Sequence, residues 1–298
     1  MKTAERGIGT GLMLAAIGSI AFSGKSIIIK LAYRYGVDAV TLIMYRMLFA
    51  LPLFLAMAWW ASKNKPPLSG RDWLHVFGLG FSGYYLASFL DFAGLTYITA
   101  SLERLIIYLT PTLVLLLERV VFGRAITKIH LLGFALSYGG LLLVFGHEVS
   151  FAGSEVALGM LLVFGSAVSY ALYLTYSGEL VRRLGSLRLV GLATSVACVL
   201  CITQFVLLRP LQAAQVPSEV LWLSLLNATA CTAVPVLLVM MAIERIGSRL
   251  TAQVGMVGPL STILMGIWLL AEPVSYWLAA GTAMVITGIY VFSRTARG

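Results

Sequence analysis

The side chains in this sequence that could do chemistry are hydroxyls, aromatic rings and one deep arginine, and they recur at helical spacing inside apolar runs. Ser166, Ser169, Tyr170, Tyr173 and Ser177 fall at i, i+3, i+4, i+7 and i+11, and Ser19, Phe22, Ser23, Ser26 and Lys30 repeat that spacing. Each set therefore shares one face of a helix. Ser82, Tyr84, Tyr85, Ser88, Phe89 and Asp91 form a third group, and Asn227, Thr229 and Thr232 a fourth. Such groups bind by stacking and hydrogen bonding rather than by breaking bonds. They suit a zwitterion with a planar apolar side chain, and a cationic aromatic compound nearly as well.

Bond-breaking constellations are missing from the sequence. His75, His130 and His147 are scattered, without an HExxH motif or paired acids for metal-assisted hydrolysis. Cys198 and Cys201 share a helical face, but no further ligand stands near them in sequence. Neither a GxSxG elbow nor a phosphate-cradling loop occurs. The expectation is a protein that is not an enzyme, with no cofactor and no metal site. A membrane-embedded enzyme and a channel are the readings from other classes.

The elements that position these groups follow from composition. The 298 residues are 60% hydrophobic and 11% charged, with a mean hydropathy of +0.94. Soluble domains carry about 25% charged residues, so these few could not cover a water-soluble surface. Apolar runs of about 20 residues, the length that crosses a bilayer, recur along the chain. They predict ten transmembrane helices at 8–31, 40–61, 73–95, 99–122, 128–146, 156–177, 187–208, 218–242, 249–271 and 275–293. The fold class is thus all-α integral membrane. The first run lacks a signal-peptide cleavage site and reads as the first membrane helix.

The net charge of +9 raises the question of nucleic acid, but no basic run interleaved with exposed aromatics tracks a phosphate backbone. Loop topology accounts for the basic residues. With the N-terminus cytoplasmic, fifteen loop Lys and Arg fall inside against three outside, Lys30, Arg34 and Arg209, as the positive-inside rule requires. Both termini are expected in the cytoplasm.

An internal repeat divides the chain. A gapless shift of 148 residues places Pro111 on Pro259, Gly133 on Gly281 and Gly140 on Gly288, and a shift of 147 superposes the two serine-rich faces. Residues 1–148 and 149–298 then form two units of five helices. Five is odd, so the second unit enters the membrane from the opposite side. Such inverted repeats surround midplane sites in secondary transporters working by alternating access.

Within this frame the candidate substrate contacts are Ser23, Tyr85, Tyr108, Tyr170, Tyr173, Asn227 and Gln253. The serines could instead simply let helices approach closely; the tyrosines, bulky and carrying a hydroxyl that needs a partner, favour a cavity. Pro111 and Pro259 each remove a backbone hydrogen bond and crowd the carbonyls of Ile107 and Gly255. They mark either plain kinks or the paired helix breaks of a transport site. Arg46 is a gating or structural charge, or a contact for a substrate carboxylate. Lys25 could reach the membrane surface. Glu103 and Arg104, adjacent in sequence, should point to different faces and need separate partners.

The chain also resembles a known family. Arg46, the stretch Ala93-Gly94-Leu95-Thr96-Tyr97-Ile98-Thr99-Ala100-Ser101, Pro111 and Leu270-Ala271-Glu272-Pro273-Val274-Ser275 look like the EamA-type, ten-helix members of the drug/metabolite transporter superfamily. The likeness covers residues 8–293. Two positions depart from it: Phe22-Ser23 stands where Trp-Gly is common, and Arg124 stands at the first-half counterpart of Glu272. By overall likeness the chain is most similar to bacterial aromatic amino-acid exporters. That implies a multi-pass protein of the bacterial inner membrane, functional as a monomer, exporting small metabolites. Multidrug efflux is the alternative.

Overall fold

The computed structural model describes residues 2–294 except Asn64, 124–127, Gly153, Met256 and Val274, and does not describe the side chains of 2–7, His130, 148–152, Glu179, Arg249, Gln253, Pro259, Leu260, Ile289 and 292–294. Among the described residues the fold is all helix. The helices are α1 (Lys2–Tyr33), α2 (Ala39–Ser62), α3 (Gly70–Leu79), α4 (Ala87–Leu95), α5 (Ala100–Ile107), α6 (Thr110–Phe122), α7 (Lys128–Ala152), α8 (Ser154–Leu184), α9 (Ser186–Leu208), α10 (Ser218–Ala228), α11 (Val234–Val254), α12 (Val257–Leu270) and α13 (Tyr276–Arg294). Six helical stretches are long and apolar enough to span a bilayer, and shorter apolar helices accompany them. Large apolar side chains face outward: Trp268 is 84% exposed and Trp60 72% exposed. Water would penalise that surface, whereas lipid accepts it.

Local chemistry fixes the helix ends. The Asp38 carboxylate accepts from the amides of Val40 and Thr41 at 3.0 and 3.3 Å and starts α2. Ser69 and Asp72 exchange side-chain and backbone hydrogen bonds at the start of α3. Thr99 accepts the Leu102 amide at 3.1 Å and separates α5 from α4, so the long apolar stretch around Gly94 does divide there. Gly247, with φ +78°, breaks α11 into two rods, a conformation nearly free of cost only for glycine.

Several helices are less regular than ten unbroken spans. A wide π-helical turn at Gly80–Leu86 joins α3 to α4, and another at Thr229–Ala233 joins α10 to α11. The chain breaks again between Ile107 and Thr110, and between Val254 and Val257. Each pair of irregularities falls at places about 148 residues apart in sequence. Periodicity in hydrophobic residues does not register such breaks, because a π-turn or a proline step displaces one or two residues without making them polar.

The helices pack in pairs that echo one another. α1 lies against α11 and α12, while α8 lies against α4 and α6; α2 packs on α9 and α7 on α13. Small residues make these approaches possible. A Cβ on Gly191 would overlap the backbone of Ala58 and Phe54, and one on Gly80 would overlap the Ala193 carbonyl. Inside a membrane, close van der Waals contact of this kind replaces the hydrophobic drive.

Candidate functional site

A cavity of about 150 Å³ lies among α1, α2, the first π-turn, the α5–α6 break, α8 and the last turn of α11. Pro111 builds one wall. It has no amide to offer the Ile107 carbonyl, and the Thr110 hydroxyl takes that acceptor instead, at 2.7 Å. The helix therefore stops at Ile107 and restarts at Thr110 without an orphaned carbonyl. On the opposite half the Gly255 carbonyl accepts the Ser19 hydroxyl from α1.

Aromatic and cationic groups share the cavity wall. Phe22, Tyr84, Tyr108 and Tyr170 line it, together with Lys25, Arg46 and Arg104. Arg46 is 2% exposed. Its Nη2 reaches Ser88 Oγ at 3.4 Å and its guanidinium carbon sits 5.2 Å from the centre of the Phe92 ring. Among the described residues no group accepts from its Nε or Nη1. A buried guanidinium with no carboxylate bonded to it is costly, and its planar fork fits one.

Behind the wall stands a compact ionic cluster. Lys25 Nζ lies 2.5 Å from Asp91 Oδ2, and Arg104 Nε lies 2.9 Å from Glu103 Oε2, off the hydrogen-bonding line. Ser26 ties the cluster together: its hydroxyl donates to Glu103 Oε2 at 3.0 Å and accepts from Arg104 Nη2 at 2.5 Å. Two expectations are corrected here. Lys25 does not reach for the membrane surface, because Asp91 holds it inside. Glu103 and Arg104 do pair, because an arginine is long enough to curl back over its neighbour.

The predicted contacts separate into two groups. Tyr108, Tyr170, Arg46 and Pro111 line the cavity. Ser23, Tyr85, Tyr173 and Asn227 do not. Ser23 uses its hydroxyl on the Gly258 carbonyl at 2.6 Å, which clamps α1 to α12. Tyr85 turns away, 5.4 Å from the Phe81 ring. Tyr173 is fully buried one layer behind Tyr170, with ring centres 5.7 Å apart, and meets Tyr84 edge-on at 5.0 Å. Asn227 is buried where its backbone carbonyl accepts the Thr232 hydroxyl across the second π-turn. The side chains of Gln253 and Pro259 lie outside the described residues. The serine-rich face of α8 serves both purposes weighed in the sequence: Ser166 and Ser169 bond to backbone carbonyls of Ala87 and Ser82 at 2.7 and 2.8 Å, while Tyr170 faces the cavity.

Lys25, Tyr84, Asp91, Glu103 and Arg104 were missing from the predicted set. The sequence did hold a signal for three of the lining cations. Setting aside the eighteen Lys and Arg assigned to connections, fifteen inside and three outside, leaves only Lys25, Arg46 and Arg104, and all three line the cavity.

Glu272, in the link between α12 and α13, caps α5. Its carboxylate accepts from the Ala100 amide at 2.7 Å, the Ser101 amide at 3.0 Å and the Ser101 hydroxyl at 2.6 Å. Negative charge at a helix N-terminus is favourable, and this contact joins the end of the second half to the middle of the first. The counterpart position, Arg124, lies outside the described residues.

Lipid-facing helices around a charged and aromatic internal cavity define a helical membrane protein. The chain belongs to the EamA-like transporter family, which matches residues 9–146 and again 157–294. It is similar to the "Uncharacterized transporter YcbK" of Bacillus subtilis (strain 168), at 29% identity over 97% of this chain and 94% of that protein. An "Uncharacterized transporter" of Archaeoglobus fulgidus is 25% identical over 94% of this chain and 96% of its own length. A protein solved by crystallography has the same fold, with a TM-score of 0.69 at 19% identity, over 97% of this chain and 99% of that one. Both the family and the named relatives point to a transporter rather than an enzyme.

Proposed function

We propose that this protein is a secondary transporter that exports aromatic amino acids, or closely similar metabolites, across the bacterial cytoplasmic membrane. The observation that carries the reading is the cavity wall. An arginine with two unclaimed donors faces the same space as Phe22, Tyr84 and Tyr170. A carboxylate on the guanidinium and a planar side chain among the rings would satisfy both features. Three cations on the lining disfavour cationic drugs, so multidrug efflux is the weaker reading.

The mechanism is alternating access by ten crossings arranged as two inverted five-helix units, 1–148 and 149–298, with both termini cytoplasmic. Support comes from the paired π-turns, the paired helix breaks and the two family matches displaced by the same number of residues. The unit of function is one chain in the bilayer, and its ligand is a small molecule rather than nucleic acid.

Thermal unfolding of the purified protein with a compound panel tests the substrate. A ligand that binds only the folded state at about 100 times its Kd stabilises by about 2.7 kcal/mol. L-phenylalanine, L-tyrosine and L-tryptophan should raise the melting temperature, while phenethylamine, which lacks the carboxylate, should not. Stabilisation by cationic dyes and phenethylamine, with none by the amino acids, would assign the cavity to drug efflux.

A further inference from the structure

Asp91 and Glu103 lie side by side inside the protein, 1% and 0% exposed. Each gives one oxygen to a neighbour: Asp91 Oδ2 to Lys25, and Glu103 Oε2 to Ser26 and Arg104. The remaining oxygens, Asp91 Oδ1 and Glu103 Oε1, are buried and receive no donor among the described residues. Lys25 and Ser26 are consecutive on α1, and their bonds to Asp91 and Glu103 hold the two carboxyls in one cluster.

Two ionised carboxylates cannot bond to one another, because both are acceptors only. Left so, they would repel in a low-dielectric interior and keep two bare oxygens. A single proton placed between them serves both, as the donor of one carboxyl and the hydrogen bond to the other. Lys25 and Arg104 are directed at the far oxygens and leave the near ones to that proton. We propose that Asp91 and Glu103 share one proton and form a proton-binding site beside the cavity.

The charged and titratable groups facing this pair come from three elements: Lys25 and Tyr33 on α1, Arg46 on α2 and Arg104 on α5; Tyr170 on α8 faces Arg104. Lys25 and Arg104 reach both the pair and the cavity, so cavity water is one side chain away. Releasing the proton to that water leaves two carboxylates against two cations. Taking it up leaves an excess of positive charge beside the cavity, which a carboxylate bound at Arg46 offsets. Intramembrane acids in such settings are the usual carriers of protons in transporters.

Infrared difference spectroscopy on the purified protein, titrated from mildly acidic to alkaline pH, tests this without any transported molecule. Its outcome is therefore separate from the identity of the substrate. The wild type should show the carbonyl stretch of a protonated carboxyl, shifted to lower frequency in D₂O and lost as the pH rises. Glu103→Gln and Asp91→Asn should each abolish that band, since the carboxylate that remains is left with its own cation. Gel filtration and the amide bands show whether either variant is folded. A wild type with no deuterium-sensitive carboxyl band at any pH in the range overturns the proposal without recourse to the variants. So does a band that persists in both folded variants.

Discussion

The Ser19 hydroxyl donates to the Gly255 carbonyl, an acceptor that Pro259, four residues on, has no amide to fill and that the Gly258 amide reaches at 3.1 Å. The first half solves the same problem within its own helix, through Thr110 and Ile107. In the second half the bond crosses from α1 to the joint between α11 and α12, so a local backbone defect becomes a contact between helices. Ser19→Ala should lower the melting temperature by an amount equivalent to about 1 kcal/mol, and Ser19→Thr should recover most of it. An unchanged melting temperature in Ser19→Ala would show that the Gly258 amide satisfies the carbonyl by itself.

Gly140 and Gly281 meet at the crossing of α7 and α13. A Cβ on either would fall 2.7 Å from the other's carbonyl oxygen, and one on Gly288 would fall 2.6 Å from the Gly133 carbonyl. Because backbone cannot step aside as a side chain can, Gly140→Val should destabilise by about 1–3 kcal/mol. Gly146→Val, with open space around its Cβ position, should be nearly neutral. Equal melting temperatures for the two variants would contradict the close crossing.

Tyr170 and Tyr173 are one helical turn apart and stacked, yet they should respond differently. Tyr173→Ala empties a fully buried site and should cost about 3–5 kcal/mol of stability. Tyr170→Ala should chiefly weaken stabilisation by L-phenylalanine, with a smaller loss of folding stability. Thermal unfolding with and without the amino acid separates the two effects. Loss of ligand response in Tyr173→Ala at an unchanged melting temperature would place the cavity on the wrong side of Tyr170.

Glu272 holds three donors at the start of α5. Glu272→Ala should cost about 1.5–3 kcal/mol, the range for hydrogen bonds to charged groups, and Glu272→Gln less. A cysteine placed at Ala100 in a background without native cysteines should react faster with a soluble thiol reagent once Glu272 is removed. Unaltered labelling would mean that the cap survives through other groups.

Asp38 titrates outside the spans and gives a pH signature. Partial burial alone would raise its carboxyl, but the Thr41 hydroxyl, the Arg209 guanidinium and the Thr41 amide together hold it below the ordinary carboxylate range. A carboxyl held low when folded adds stability above its unfolded value, about 4, and that contribution disappears as pH falls through the folded value. The melting-temperature gap between wild type and Asp38→Asn should therefore be present at neutral pH and close on acidification. The gap should be small, because an exposed pair contributes less than about 1 kcal/mol and an N-cap about 1 kcal/mol. A gap independent of pH would remove the carboxylate from the account.

The sequence by itself determined what its one-dimensional signals can carry. Hydropathy is summed over a window, so the apolar spans at 40–61 and 187–208 were readable, and they appear as α2 and α9. The offset of Pro111 from Pro259, and the three basic residues that no loop explains, were also legible before any helix was placed. Tertiary structure alone decided which polar groups share a space. Ser23 and Tyr170 sit at comparable places on two similar faces, yet Ser23 is taken by the Gly258 carbonyl while Tyr170 opens on the cavity. A helical face says only that its residues point the same way; the neighbour that face meets is set by packing. The pairing of Lys25 with Asp91, 66 residues apart, and the closeness of Asp91 to Glu103 depend on the π-turn and on where α5 stops. These are backbone irregularities of one or two residues, too small to alter an apolar run and large enough to redirect every side chain beyond them.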